Sequence, residues 1–288
     1  MKIFNSQLLF HLLVAVAISG TLSSCQKKFD AASYAPDKPF GGYSNSKDIA
    51  TTNLVSFWSF DGNLNDSAGG LTGTNNGTTF NAKGVKGQAL QIGGSNYYVF
   101  NNPGTVLPNL KAFTVAFWMN ASQNTSYAYG IFSLNNPNDF WGSLDIYLDN
   151  GSLPDTAQFK VHFNTNGNGQ FLGLKIGKAW DRWVHMAVTY DSSMTTSANF
   201  NIYQNGSVVY STLLKNGTAN LGPLAFPNPT AMVIGTWQFQ TTPSLTTSAT
   251  AQSWAGSLGG SLDEFRIYDK ALKAGDINAL FKLESAGR

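Results

Sequence analysis

Residues 183–214 read WVHMAVTYDSSMTTSANFNIYQNGSVVYSTLL, and this stretch decides the fold. It holds three short runs rich in β-branched and aromatic residues: WVHMAVTY (183–190), NFNIYQ (199–204) and SVVYSTLL (207–214). Such side chains suit a pleated, half-buried surface, and the Asp, Ser, Asn and Gly residues between the runs form turns. Asn205-Gly206 joins the last two runs. That dipeptide supplies the positive φ angles of a type I′ turn, the strongest short-range hairpin signal.

The same pattern extends in both directions. LVSFWSF (54–60), YYVF (97–100), FTVAFWM (113–119), GIFSL (130–134), SLDIYL (143–148), QFKVHF (158–163), FLGLKI (171–176), AMVIG (231–235) and LDEFRIY (262–268) are further strands. Asn150-Gly151 predicts a second hairpin, from SLDIYLD into the strand near Phe159. Helical spacing occurs only around Ala274–Leu283, where Ile277, Leu280, Phe281 and Glu284 recur on one side. Many short strands without a βαβ rhythm predict an all-β, two-sheet antiparallel sandwich with one short C-terminal helix.

Composition agrees. Of the 288 residues 42% are hydrophobic, enough for a large core, which excludes wholesale disorder. Charged residues are only 12%, about half the usual share. Eighteen Lys+Arg against sixteen Asp+Glu leave +2 without a basic cluster, which argues against nucleic acid as a partner.

The N-terminus reads as an export signal. Met1-Lys2 carries the positive charge, and the apolar run Leu8–Ile18 is too short for a bilayer, which takes roughly 20 residues. The run ends at Ser19-Gly20 and reaches LSSC (22–25). One reading is a plain secretory signal cut at small residues. The other is that LSSC resembles a bacterial lipobox, whose cysteine is lipidated and becomes the first mature residue. Cys25 is the only cysteine, so it forms no internal disulfide. Residues 26–48 (QKKFDAASYAPDKPFGGYSNSKD) hold two prolines, paired glycines and no apolar periodicity, as a spacer would. The expected organisation is a lipoprotein signal peptide at 1–24, a flexible tether at 25–48 from lipidated Cys25, and one domain at 49–288. In lipoproteins of this kind an aspartate after the cysteine favours inner-membrane retention. Gln26 stands there, so the resemblance implies the outer membrane.

Six blocks carry a second resemblance: LVSFWSFDGNLNDSAG (54–69), GVKGQALQIGGSNYYVF (84–100), FTVAFWMN (113–120), WDRWVHMAVTYD (180–191), FNIYQNGSVV (200–209) and GSLDEFRIYDKALKAGDINALF (260–281). Together and in this order they resemble the laminin-G-like domain of the concanavalin A-like lectin/glucanase superfamily. The resemblance implies a jelly roll of two curved sheets, a calcium site as in many members, and carbohydrate or protein binding. Thr241–Ser253 (TTPSLTTSATAQS) reads as an insertion before the last block.

The superfamily includes retaining glucanases with a Glu-x-Asp-x-(x)-Glu strand motif, which this chain lacks. Its only glutamates are Glu264 and Glu284, the latter in the C-terminal tail. Asp145 and Asp149 share a strand face, but four residues place them roughly 13 Å apart, whereas retention needs about 5–5.5 Å. His162 and His185 read as residues of the sheet. No catalytic residue is assigned, and the chain is expected not to be an enzyme.

Asp61-Gly62-Asn63-Leu64-Asn65-Asp66 concentrates oxygen-bearing side chains after a strand. An EF-hand would need Gly at the sixth position and Glu at the twelfth, where Asp66 and Thr72 stand. Asp263 has the parity of Phe265 and Ile267, which places it on a core face, where a carboxylate needs a partner. The resemblance implies that Asp263 approaches the 61–66 loop, giving a structural Ca²⁺ site from Asp61, Asn63, Asp66 and Asp263. The alternative is that these residues cap loops and accept backbone N–H groups.

Trp58, Trp118 and Trp183 lie within strand blocks and read as packing, while Trp180 fits either role. Trp141, Trp237 and Trp254 lie at strand ends or beside polar loops, together with Tyr127, Tyr129, Phe140 and Phe239. Flat aromatic faces beside Asn and Gln can receive sugar rings, or can cover the core beneath long loops. Trp141, Trp237, Trp254, Tyr129 and Phe239 are the expected ligand-binding residues. The expected function is non-catalytic glycan binding by an envelope lipoprotein held to the membrane by lipid alone. The alternative is an adhesion or assembly module for an envelope protein.

Overall fold

The computed structural model describes residues 40–81, 83–124 and 126–288. The signal segment, Cys25 and the spacer up to residue 39 lie outside the described residues. Strands are numbered along the chain. One eight-stranded sheet runs β13 (Ser207–Thr212), β12 (Phe200–Gln204), β11 (Val184–Tyr190), β6 (Phe113–Ala121), β18 (Gly260–Tyr268), β4 (Ala89–Ile92), β3 (Thr79–Asn81), with β1 (Leu54–Trp58) also on β18. The other runs β10 (Asn168–Gly177), β9 (Thr156–Thr165), β8 (Leu144–Leu153), β7 (Ala128–Leu134), β16 (Met232–Ile234), β5 (Tyr97–Phe100), β2 (Thr74–Asn76). On β7, β17 (Ala255–Ser257) adds a parallel pair in this otherwise antiparallel sandwich. A small ribbon, β14 (Lys215–Asn216) and β15 (Ala219–Asn220), stands apart.

Side-chain alternation builds the core between the sheets. Phe117 of β6 stacks on Phe265 of β18 at 5.3 Å, and Phe113 meets Phe163 of β9 edge-on at 5.9 Å. Each buried ring of this kind contributes about 1.5–3 kcal/mol by leaving water. The outer face of the first sheet is covered by α1 (Ala274–Ser285), whose Ile277, Leu280 and Leu283 pack on Ala116, Ala187, Tyr203 and Tyr268.

Turn chemistry follows the sequence at Asn205-Gly206, where φ is 49° and 75°, both positive as type I′ requires. Gly206 is also close to α1: a Cβ there would lie 3.0 Å from Phe281 Cβ. Asn150-Gly151 is not the second hairpin turn. β8 continues through it to Leu153 with a register irregularity after Asp149, and the chain reverses at Pro154-Asp155. Proline pre-sets φ for the second position of a turn, and Asp is favoured beside it.

The tether expected over residues 25–48 does not describe residues 40–48. Asn45 and Asp48 form a reciprocal capping box, and Tyr43 Oη donates to Asp276 of α1 at 3.0 Å. Phe40 packs with the α1 cluster. Residues 40–48 therefore belong to the folded body.

The glutamate expected in a tail is 1% exposed. Glu284 accepts hydrogen bonds from the Arg266 guanidinium and from Trp118 Nε1, while Arg266 also donates to Glu264 at 2.6 Å. Lys86 Nζ lies 3.4 Å from Glu264 and the Arg266 guanidinium lies 4.0 Å over the Phe57 ring. Two cations balance two anions beneath α1, the arrangement that makes burial of charge tolerable.

Candidate functional site

The 61–66 loop and Asp263 hold backbone, each separately. Asp66 accepts N–H bonds from Phe57, Ala68, Gly69 and Leu71 at 2.8–3.3 Å. Three of these donors converge on Oδ1 and one, Leu71 N, reaches Oδ2. Asn63 Oδ1 accepts from Asn65 N, and Asp61 Oδ1 from Gln88 N. Asp263 accepts from Val85 N, Lys86 N and Glu264 N at 2.7–3.0 Å. Burial pushes the Asp263 carboxyl up to about 8, against the pull of the Lys86 and Val85 N–H groups.

The parity argument for Asp263 fails because of a bulge. Glu264 takes φ 48°, and the β18–β6 register shifts between Asp263 and Arg266. Leu262, opposite Met119, shares the core with Phe265 and Ile267. Asp263, opposite Trp118, faces the helix side. Asp61 and Asp263 do meet one common element, gripping the 84–88 turn through different N–H groups. Among the described residues no group of three or more His, Cys, Asp or Glu side chains could hold a metal ion. Hard Ca²⁺ wants 6–8 open oxygens, and Asp61, Asn63, Asp66 and Asp263 do not fit it as one donor set.

Asp145 and Asp149 likewise have other work. Asp145 is 1% exposed and accepts from Ser133 Oγ at 2.6 Å and Gly142 N at 2.8 Å, with His162 Nδ1 at 3.1 Å. Asp149 pairs with Lys160 at 2.6 Å. Ser133 donates to the Asp145 carboxylate from a fully buried position, and Asp145 and His162 are each 1% exposed, so this chain of groups has no open path to a substrate. His185, 1% exposed beneath α1, has its pKa lowered to about 3 by burial and by Arg266, and stays neutral. Glu264 and Glu284, both 1% exposed and committed to Arg266, have no access to a substrate.

The expected aromatic ligand set divides. Trp237 and Phe239 are each 1% exposed, and Trp237 Nε1 donates to Ala128 O at 3.1 Å. They fail as contacts because the Thr241–Ser253 insertion and Trp254 cover them, Trp254 lying edge-on at 5.7 Å from Trp237. Trp141 is half-buried between Tyr147 and Phe171. Trp254 and Tyr129 reach the surface, but only Tyr129 lines the open groove beside the insertion.

That groove, about 690 Å³, lies where β17 meets the first residues of β7, the Gly94-Ser95 turn and the insertion. Tyr127, 48% exposed, offers a free ring, and Tyr97 and Tyr129 stand beside it. Asn76, Ser95, Gln240, Thr242 and Ser257 add amides and hydroxyls. Two close approaches fix the wall. Tyr97 Oη accepts from Thr242 N at 2.9 Å, and Tyr129 Oη sits so near Gly259 that a Cβ there would be 2.5 Å away. Gln240 secures the insertion, donating to Gln252 O at 3.0 Å and accepting from Gln252 N at 2.8 Å. No Asp, Glu, Lys, Arg or His lines the groove. Tyr97 and Gln240 escaped the sequence reading because their roles depend on how an insertion folds back.

Comparisons with known proteins agree with this fold. By sequence the chain matches no curated protein. Domain 4 of AbnA, a GH43 extracellular arabinanase from Geobacillus stearothermophilus in complex with arabinotriose, is similar with TM-score 0.53 and 20% identity, over 79% of this chain and 98% of that domain. The receptor-binding domain of botulinum neurotoxin type G gives TM-score 0.54 and 14% identity over 80% of this chain. A botulinum neurotoxin type C structure, described by cell entry that depends on two ganglioside molecules, gives 0.57 and 15% over 81%. This chain spans about half of those toxin chains, 51% and 52%. The profile of the laminin G-like family described as "Concanavalin A-like lectin/glucanases superfamily" matches residues 92–278, nearly two-thirds of the sequence. The chain belongs to that family.

Proposed function

We propose that this chain is a non-catalytic, carbohydrate-binding lipoprotein of the bacterial outer membrane, held there by lipid on Cys25, and that its groove takes a neutral glycan. The carrying observation is the groove's lining: tyrosine faces with amides and hydroxyls, and no charged side chain. Ring faces suit the C–H face of a sugar, and amides suit its hydroxyls. An acidic sugar would lose hydration there without gaining a counter-charge. A domain of similar fold in complex with arabinotriose supports the reading. The LSSC sequence supports the anchor.

The test is electrophoresis of the full chain through gels containing neutral polysaccharides, arabinan first. Retardation by a neutral polymer that Tyr127→Ala removes, with an unchanged melting temperature, is the expected result. Retardation untouched by Tyr127→Ala, or none across the neutral panel, overturns it. Capture of one envelope protein, lost on Tyr127→Ala, would favour the adhesion reading instead.

A further inference from the structure

The open face of the second sheet carries a feature independent of the groove. On β10, Phe171, Gly173 and Lys175 share the outward face, since alternate residues of a strand do, while Ile176 turns into the core. Phe171 is 56% exposed, unusual for a phenylalanine on a strand. Its ring is nonetheless held. His162 lies beneath it at 4.4 Å, and Trp141 meets it edge-on at 5.2 Å. His162 is oriented by Asp145, which is itself fixed by Ser133 and Gly142. The buried polar chain that resembles catalytic machinery thus supports one exposed aromatic ring.

Beside the ring is a depression of about 260 Å³. Gly173 keeps it open, since a Cβ there would lie 2.7 Å from Lys160 Cγ and 2.9 Å from Phe159 O. Its only charged lining groups are Lys160 and Lys175, with Gln158 and Tyr147 as polar neighbours. Lys160 is paired with Asp149, and Lys175, exposed at the far end, forms no ion pair among the described residues. Phe171 and Lys175 are about 13 Å apart along the strand. A rigid ring followed by an open depression and a cation complements a sugar chain carrying carboxylates, the opposite preference to the uncharged groove.

We propose that the face formed by Phe171, Gly173, Lys160 and Lys175 is a second glycan site, selective for uronic-acid-containing oligosaccharides. The ring stacks on one sugar while Lys175 meets the carboxylate of a neighbouring one.

The experiment measures binding of the full chain to polygalacturonate, polymannuronate and glucuronoxylan, and to the carboxyl-reduced form of each polymer that binds. One uronate polymer should bind, at least tenfold better than its reduced form, and more weakly as salt rises. Phe171→Ala should weaken it at least tenfold. Lys175→Gln should remove most of the preference for the carboxylated form, and Lys175→Arg should keep it. Both positions are exposed, so melting temperatures should not change. Tyr127→Ala should leave uronate binding intact, which separates this site from the groove. No uronate binding, binding indifferent to Phe171→Ala and Lys175→Gln, or binding lost with Tyr127→Ala overturns the proposal.

Discussion

Trp118 Nε1 donates to a Glu284 carboxylate oxygen at 2.6 Å, linking β6 to the last turn of α1. The same carboxylate neutralises Arg266, which is 1% exposed. Removing one partner of a buried pair leaves an uncompensated charge, at about 3–5 kcal/mol. Glu284→Ala should therefore lower the melting temperature on the order of 10 °C, at roughly 2–4 °C per kcal/mol. Urea unfolding would show the same loss, and a shift under 2 °C would mean that Arg266 is satisfied without α1.

His185 gives a pH signature. Its folded pKa, about 3, lies below the ordinary 6.5, so the unfolded chain takes up a proton that the folded one refuses. Its contribution is present above pH 6.5 and is lost as pH falls toward 3. Glu284, Oε2 of which lies 4.0 Å from His185 Nε2, is pushed up by burial against the pull of Arg266 and contributes in the opposite direction. The difference between wild-type and His185→Gln stability curves isolates the histidine. Between pH 6 and 4 it should approach one proton, about 1.4 kcal/mol per pH unit. Parallel curves would show that His185 is protonated when folded.

Gly259→Ala tests the groove from behind. A Cβ at that position must displace the Tyr129 hydroxyl, 2.5 Å away, toward the space a glycan would use. Neutral-glycan affinity should fall at least tenfold while the melting temperature changes by a few degrees. Unaltered affinity would place the ligand elsewhere.

Melting curves with excess calcium and with chelator should coincide, because the oxygens of Asp66 already accept four N–H groups. Asp66→Ala should cost about 2–4 kcal/mol through the buried N–H groups it leaves unpaired. A calcium shift of several degrees that vanishes in Asp263→Asn would instead restore the metal site expected from the sequence.

Cys25→Ser tests the anchor. Stable attachment takes two acyl signals, so the variant should leave the detergent phase with its signal unprocessed. Normal processing and membrane partition of Cys25→Ser would remove the lipobox reading.

The sandwich was legible because β-branched and aromatic runs, with Asn205-Gly206 between two of them, act locally. What escaped depends on one residue altering a whole register. Glu264 in the left-handed region moves Asp263 to the other side of β18, which parity counting cannot foresee. Phe171 was within reach, since an aromatic on the opposite face from Leu172 and Leu174 is exposed by alternation alone. The fate of Trp237 and Phe239 was not, because burial there comes from an insertion with no periodicity.

That insertion is fastened by groups outside it. Gln240 holds Gln252, Asn135 Nδ2 donates to Leu245 O, and Pro137 O accepts from Thr247 N. Thr242 and Ala251, which face the groove, take no part in the Gln240 and Asn135 fastenings. With the groove holding a glycan as proposed, side-chain changes at those two positions should alter which sugar is held while the sandwich stays folded. The loop thus separates what faces the groove from what holds it down, and exchanging the Thr242 and Ala251 side chains alone is a direct way to test whether they set specificity.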